Sequence, residues 1–264
     1  VEVSLRNPQT QREVFDGEVW AIEHDFMESS YRALYQGLQL FLEARQERKD
    51  LLLLQRKPRV DTTLTLQGDY ASQGNTEFND LVLRVKQARD LFLIIGPPGT
   101  GKTSFGMVNV LKEQLMEEGT SVLLLSFTNR AVDEMCSKLV GEGIDFVRLG
   151  SELGCHEAYR SHLLGKRSEA YRDGREIRQM IERCRVFCGT TTALSSSLSL
   201  LELKQFDLAI VDEASQILEP HIIGLLSAMH QGQSAIKRFV LIGDERQLPA
   251  VVQQGTDESV VTDA

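Results

Sequence analysis

Only four cysteines occur in this 264-residue chain, Cys136, Cys155, Cys184 and Cys188, and no two form a CxxC pair. That spacing argues against a zinc or iron–sulfur centre and leaves reduced thiols, the state expected of a cytoplasmic protein. No apolar run approaches the length of a bilayer span and no signal-peptide pattern opens the chain, so no membrane partner is expected. A basic excess is missing too. Lys and Arg number 29 against 38 Asp and Glu, a net charge of −9, which argues mildly against a surface coated for nucleic acid. A local basic track survives that balance between Arg160 and Arg185, and it reads as a solvated helical hairpin of mixed charge. The chain opens on Val1 rather than Met, as expected of a piece of a longer protein. Its apolar and charged fractions, 42% and 25%, are ordinary for a globular protein with one large or two modest domains.

What the chain does have is concentrated at residues 96–103, Gly96-Pro97-Pro98-Gly99-Thr100-Gly101-Lys102-Thr103. These follow the apolar run 91–95 and precede a helical pattern, the setting of a phosphate-binding loop, G-x-x-x-x-G-K-[ST]. The glycines let backbone N–H groups turn inward onto a phosphate. Lys102 brings a mobile positive charge to the β- and γ-oxygens, Thr103 offers a hydroxyl to Mg²⁺, and the following helix adds its N-terminal partial charge. A nucleoside triphosphate with Mg²⁺ is the expected ligand.

Two styles of sequence meet near residue 75. Residues 1–22 alternate and turn like a small hairpin. Tyr31, Leu34, Tyr35, Leu38, Phe41 and Leu42 recur at helical spacing, predicting an amphipathic helix over 27–45 whose stripe is core rather than a base-stacking platform. The runs 51–54 and 63–66 are strand candidates, and 67–74 reads as a loop. Residues 1–75 are thus expected to form a small α+β region, and 76–264 a second, α/β domain. In the second part helices and strands alternate. Helices are predicted at 79–87, 102–117, 130–140 and 217–229. Strands are predicted at 91–95, 122–127, 145–149, 185–189, 207–212 and 238–243, with a helical insertion over about 151–184. Short Val/Ile/Leu runs buried on both faces imply a parallel sheet sandwiched by helices, an α/β fold with ligands at the carboxyl ends of the strands.

Residues 206–213 form an apolar strand ending in Asp212 and Glu213. Carboxylates at a buried strand tip are costly unless they hold a cation or hydrogen bonds. Asp212 is expected to hold Mg²⁺ opposite Thr103, and Glu213 to orient and deprotonate the attacking water. The strand at 238–243 runs into Asp244-Glu245-Arg246-Gln247, where the Gln247 amide can read the γ-phosphate without adding charge.

GPPGTGKT, SFTNRAVDE (126–134), GTTTALSS (189–196), DEASQ (212–216) and GDERQLP (243–249) follow one another as in the superfamily 1 helicases, which the chain resembles over residues 76–250. The resemblance is greatest to the branch of the nonsense-mediated decay helicase and its DNA-acting relatives. It implies a P-loop NTPase of RecA-like fold and ATP hydrolysis coupled to movement along a single strand of DNA or RNA. It also implies a second RecA-like domain in the parent chain and a monomeric motor. By the same resemblance Thr128, Asn129, Thr190 and Thr191 meet the sugar–phosphate backbone, and residues 1–75 belong to the accessory domain and stalk.

The chain departs from the family in three ways. Asn79 stands where the family has a glutamine that reads adenine, and Glu245 and Arg246 replace a common Pro, His or Lys. The third departure is that the chain stops soon after Pro249, so the arginines of the second domain that stabilise phosphoryl transfer are absent and the isolated piece is expected to turn over slowly. A regulatory or scaffold P-loop ATPase without unwinding is the competing expectation. A small-molecule kinase would share the phosphate loop alone.

Overall fold

The computed structural model describes residues 28–71, 76–97, 106–244 and 246, with side chains from Leu34 onward. The hairpin expected at 1–22, residues 98–105 of the phosphate loop and its helix, Glu245 and Gln247 lie outside the described residues.

Two helices come first, α1 (Glu28–Glu43) and α2 (Gln46–Leu52), followed after an irregular stretch by α3 (Glu77–Gln87). Strand β1 (Leu91–Ile95) leads to α4 (Met107–Leu115), β2 (Val122–Ser126), α5 (Asn129–Gly141) and β3 (Val147–Arg148). Between β3 and β4 (Val186–Thr190) stand two short 3₁₀ turns, then α6 (Leu164–Ser168) and α7 (Gly174–Arg183), where the helical insertion was expected. The chain continues through α8 (Thr191–Ser195), α9 (Ser199–Leu203), β5 (Phe206–Val211) and α10 (Glu219–Ser227). It closes with a small hairpin, β6 (Met229–His230) and β7 (Gln233–Ser234), and the long β8 (Ile236–Gly243).

Six strands form one sheet in the order β1-β8-β5-β2-β4-β3, every pairing parallel. Successive side chains point to opposite faces, so β2 sends Leu123 and Leu125 to one core and Val122 and Leu124 to the other. The first core is closed by Leu51 of α2, Met180 and Ile181 of α7, Leu200 and Leu201 of α9, and Leu225 and Leu226 of α10. The second is closed by Val82 and Val85 of α3, Leu111 of α4, and Val132, Met135 and Leu139 of α5. Both faces are covered, as the unbroken apolar strands require.

The predicted strand at 51–54 is instead the end of α2 and the turn after it. Leu51 alone of the four leucines is fully buried, and Leu53 and Leu54 are exposed. A short apolar run does not separate strand from helix by itself, and here the helix begun at Gln46 carries it. The predicted strand at 63–66 is instead irregular chain leaving a turn at 62–63. Asp61 Oδ1 accepts from both the backbone N–H and the hydroxyl of Thr63, at 3.1 and 2.6 Å, a local alternative to strand pairing.

Residues 28–71 fold down onto the sheet domain. Gly37 of α1 lies against Gly224 of α10 so closely that a Cβ on Gly224 would fall 2.3 Å from the Gly37 Cα. Arg48 of α2 is buried and donates to the Ile236 and Lys237 carbonyls at 2.6 and 3.1 Å. Among the described residues no helix is long and apolar enough to cross a membrane.

Candidate nucleotide and strand-contact site

Strand order decides what meets at the carboxyl end of the sheet. β8 lies between β1, which leads into the phosphate loop, and β5, which ends in the acids. Register aligns Ile95 with Gly243, and the Gly96 N–H donates to the Gly243 carbonyl at 3.3 Å. The GDERQLP motif is thereby stitched to the first residue of the phosphate loop. On its other side the Asp244 N–H donates to Ser215 Oγ of the acid loop at 3.3 Å. Gly243 fits there for want of a side chain: a Cβ would meet Ser215 at 3.3 Å.

At the tip of β5, Asp212 is 5% exposed and its N–H donates to the Leu125 carbonyl at 2.8 Å. Glu213 then turns left-handed, φ 55° and ψ 31°. For a residue with a Cβ this costs on the order of 1–2 kcal/mol, and such outliers gather at functional sites. The turn carries the carboxylate back towards β2, where Glu213 Oε2 accepts from Ser126 Oγ at 3.3 Å and Thr128 Oγ1 at 3.5 Å. Burial raises the Glu213 pKa above the ordinary glutamate value. The neighbouring Asp212 charge raises it further, and the two hydroxyls work against the rise. A carboxyl so placed suits a proton acceptor.

Thr128 has two tasks. Its hydroxyl oxygen accepts from the Ala131 N–H at 3.2 Å, capping α5, while its hydroxyl faces Glu213. Asn129 beside it is exposed and lies against Gly154. The next strand repeats the arrangement. Thr190 is in register with Ser126, and its hydroxyl oxygen accepts from the Ala193 N–H at 3.0 Å, capping α8. Thr190 and Thr191 are 7% and 3% exposed, so their side chains lie within the fold and Thr128–Asn129 presents the open surface.

Asn79 is committed internally. Its Oδ1 accepts from the Tyr70 N–H at 2.6 Å and its Nδ2 donates to Asp69 Oδ1 at 2.8 Å, so the amide clasps the loop before α3. That loop is anchored from below by Glu113 of α4, which accepts from the Gln67 and Gly68 N–H groups and the Tyr70 hydroxyl and pairs with Lys86 at 2.7 Å. Gly96 and Pro97 lead into the phosphate loop from the tip of β1, while Pro98, Gly99, Thr100, Gly101, Lys102, Thr103 and Gln247 lie outside the described residues. The surroundings fit a divalent cation. Asp212 brings a buried carboxylate to one strand tip, and Asp244 at the next keeps one carboxylate oxygen, Oδ2, without a hydrogen-bond partner among the described residues. Sequence reasoning missed Ser126, Ser215 and Asp244 although each sits inside a quoted motif, because nothing local says which hydroxyl or carboxylate faces the cleft.

Comparison with known proteins now bears on this geometry. A family profile described as "AAA domain" matches residues 73–174 and 157–254, more than half of the chain. The chain belongs to this AAA-domain family. Within the family it is a RecA-like domain of the superfamily 1 helicase type. It is 32% identical over 255 residues to the DNA replication ATP-dependent helicase/nuclease JHS1 of Arabidopsis thaliana, which covers 93% of this chain and 18% of that protein. It is 37% identical over 172 residues to the DNA replication ATP-dependent helicase/nuclease DNA2 of Gallus gallus, covering 64% of this chain and 16% of that protein. The corresponding human protein is 35% identical over 171 residues, 64% of this chain and 15% of its own length. The AAA domain therefore spans less than a fifth of each of these relatives.

Proposed function

We propose that this AAA domain is the first motor domain of an ATP-dependent helicase or translocase. The observation that carries the reading is Glu213, held by Ser126 and Thr128: one carboxylate joins the tip of the acid strand to the Thr128–Asn129 loop, which we read as the strand contact. Lys102 and the loop 96–103 bind the triphosphate of ATP. Thr103 and Asp212 would hold Mg²⁺, which would supply charge neutralisation to the triphosphate. Glu213 takes the proton of the attacking water, and Gln247 contacts the γ-phosphate. Thr128 and Asn129 grip the backbone of a single strand, with Thr190 and Thr191 supporting the adjacent turn through their caps. Because Thr128 touches Glu213, occupation of the strand site changes the donors on the base, which couples the two ligands.

The relatives' names speak of DNA replication, which favours DNA over RNA as the track and the DNA-acting side of the superfamily 1 branch. The motor domain is taken to run over 76–264, with residues 1–75 an accessory segment docked through α1 and α2. A second RecA-like domain of the parent completes the cleft, and the assembly is a cytoplasmic monomer. The internally bonded Asn79 amide favours weak adenine selection and leaves room for a second reading, a regulatory ATPase without unwinding.

ATP turnover measured with single-stranded DNA, with RNA and without either, on the chain joined to its second domain, tests the proposal. Stimulation by one polymer, lost in Glu213→Gln, is expected. Turnover indifferent to both polymers would leave the regulatory reading standing.

A further inference from the structure

At the amino end of the sheet, where α2 and the turn after it lie on β1 and β8, a cavity of about 200 Å³ is lined by five cations: Arg45, Arg48, Arg56, Arg59 and Lys237. Only two carboxylates, Glu47 and Asp90, line it with them. In a chain of net charge −9 this local excess of three positive charges stands out. The carboxylates are already taken. Asp90 accepts from Arg56 Nη1 at 2.8 Å and Arg59 Nη2 at 2.7 Å, and Glu47 pairs with Arg59 at 3.0 Å. Lys237 reaches Asp207 at 2.6 Å.

Arg45 and Arg48 are left over. Arg45 is exposed and has no ion pair among the described residues. Arg48 is 7% exposed. Its Nη2 donates to the Ile236 and Lys237 carbonyls, while its Nη1 is sealed from solvent with no hydrogen-bond partner among the described residues. The Phe239 ring, 5.0 Å from the guanidinium, offsets part of the charge but gives Nη1 no acceptor of the ordinary kind. A buried guanidinium donor without an acceptor is a standing cost that an incoming oxyanion removes. A lone carboxylate would cancel one of the three surplus charges. A phosphate group cancels more, and its oxygens match the forked donors of arginine.

We propose that this cavity is a phosphate-binding site, with Arg48 and Arg45 as its principal donors and Lys237 at its rim. It is separate from the nucleotide site, which stands at the opposite end of the sheet, beyond the five residues of β1 or about 16 Å. The group recognised is the phosphate itself, either free as inorganic phosphate or pyrophosphate or carried in the backbone of a nucleic acid.

Calorimetric titration of the chain with sodium pyrophosphate in chloride buffer reads the site, with Lys102→Ala carried throughout to silence the phosphate loop. Binding is expected, weakened about tenfold by Arg45→Gln and lost in Arg48→Met, which keeps the apolar stem and removes the fork. Should Arg48→Met fail to fold, the exposed Arg45 decides the matter alone. A second titration, with a single-stranded oligothymidylate at several salt concentrations, separates the two sources. A plot of log affinity against log salt that is shallower by about 0.7 in Arg45→Gln assigns the phosphate to a nucleic-acid backbone. An unchanged slope beside weakened pyrophosphate binding assigns it to free phosphate. Pyrophosphate that binds Arg45→Gln as well as the parent, or binds neither, with the slope also unchanged, overturns the proposal.

Discussion

The two ends of the sheet treat their buried carboxylates in opposite ways. At the amino end, Asp90 just before β1 accepts from Arg56 Nη1 at 2.8 Å, the Arg59 N–H at 2.7 Å and Arg59 Nη2 at 2.7 Å. Burial alone would raise its pKa, but the Arg59 and Arg56 bonds overcome that and hold it far below the ordinary carboxylate range. Arg48 beside it is lowered to about 10 by burial against the pull of Asp90, and its guanidinium lies 5.0 Å from the centre of the Phe239 ring. At the carboxyl end, Glu213 adopts a costly backbone conformation with its pKa raised, and Asp244 keeps an unpartnered oxygen. The amino end locks residues 45–59 onto the domain. The carboxyl end holds its groups in states that a ligand would relieve, the disposition expected of a site rather than a brace.

Charge removal at each end separates these roles. At the carboxyl end, Glu213→Gln should lower ATP turnover by roughly 10²–10⁴-fold while nucleotide affinity stays within a factor of a few, read by steady-state hydrolysis beside direct titration. Near-wild-type turnover would remove Glu213 as the base. Asp90→Ala at the other end should do the reverse, lowering unfolding free energy by about 3 kcal/mol in urea titrations while leaving nucleotide affinity of the folded fraction intact.

A subtler version of the same contrast uses pH. The folded-state pKa of Asp90 is depressed, so its stabilisation is present above the unfolded value of about 4 and is lost as pH falls towards the folded one. Wild-type stability should therefore decline below pH about 4, and the decline should be shallower in Asp90→Ala. Equal slopes would show that the Asp90 cluster contributes nothing.

Smaller effects sharpen the picture. Gly224→Val places a side chain where Gly37 sits and should cost about 1–3 kcal/mol through separation of α1 from α10, visible as a lower melting temperature with turnover per folded molecule unchanged. Thr128→Val removes both the α5 cap, about 1 kcal/mol, and one of the bonds that hold the Glu213 pKa down. The acidic limb of the turnover–pH profile should then move to higher pH. A limb that stays in place would mean that Thr128 acts as a cap alone.

Much of the architecture was legible in the chain. The strands at 91–95, 122–127, 185–189, 207–212 and 238–243 lie within a residue or two of the observed bounds, because each is a short apolar run bounded by polar turns. The segment before residue 75 was read less well: the leucine run at 51–54 is ambiguous between helix and strand until Arg48 and Leu51 find the sheet, and 63–66 is governed by one local Asp61 turn.

By itself, then, the sequence determined the elements, the phosphate-loop motif and the membership of a parallel α/β fold, since these depend on spacing and on residue types within a few positions. Tertiary structure alone decided that β8 separates β1 from β5, that Glu213 reaches back to Ser126 and Thr128, that Asn79 is turned inward and that Asp244 keeps a bare oxygen. Parallel strands pair across long stretches of chain, as Leu91 with Phe239 and Val122 with Leu208. Which side chains those pairings bring together, and which are left without partners, is set by burial and hydrogen-bond competition among residues far apart in the chain.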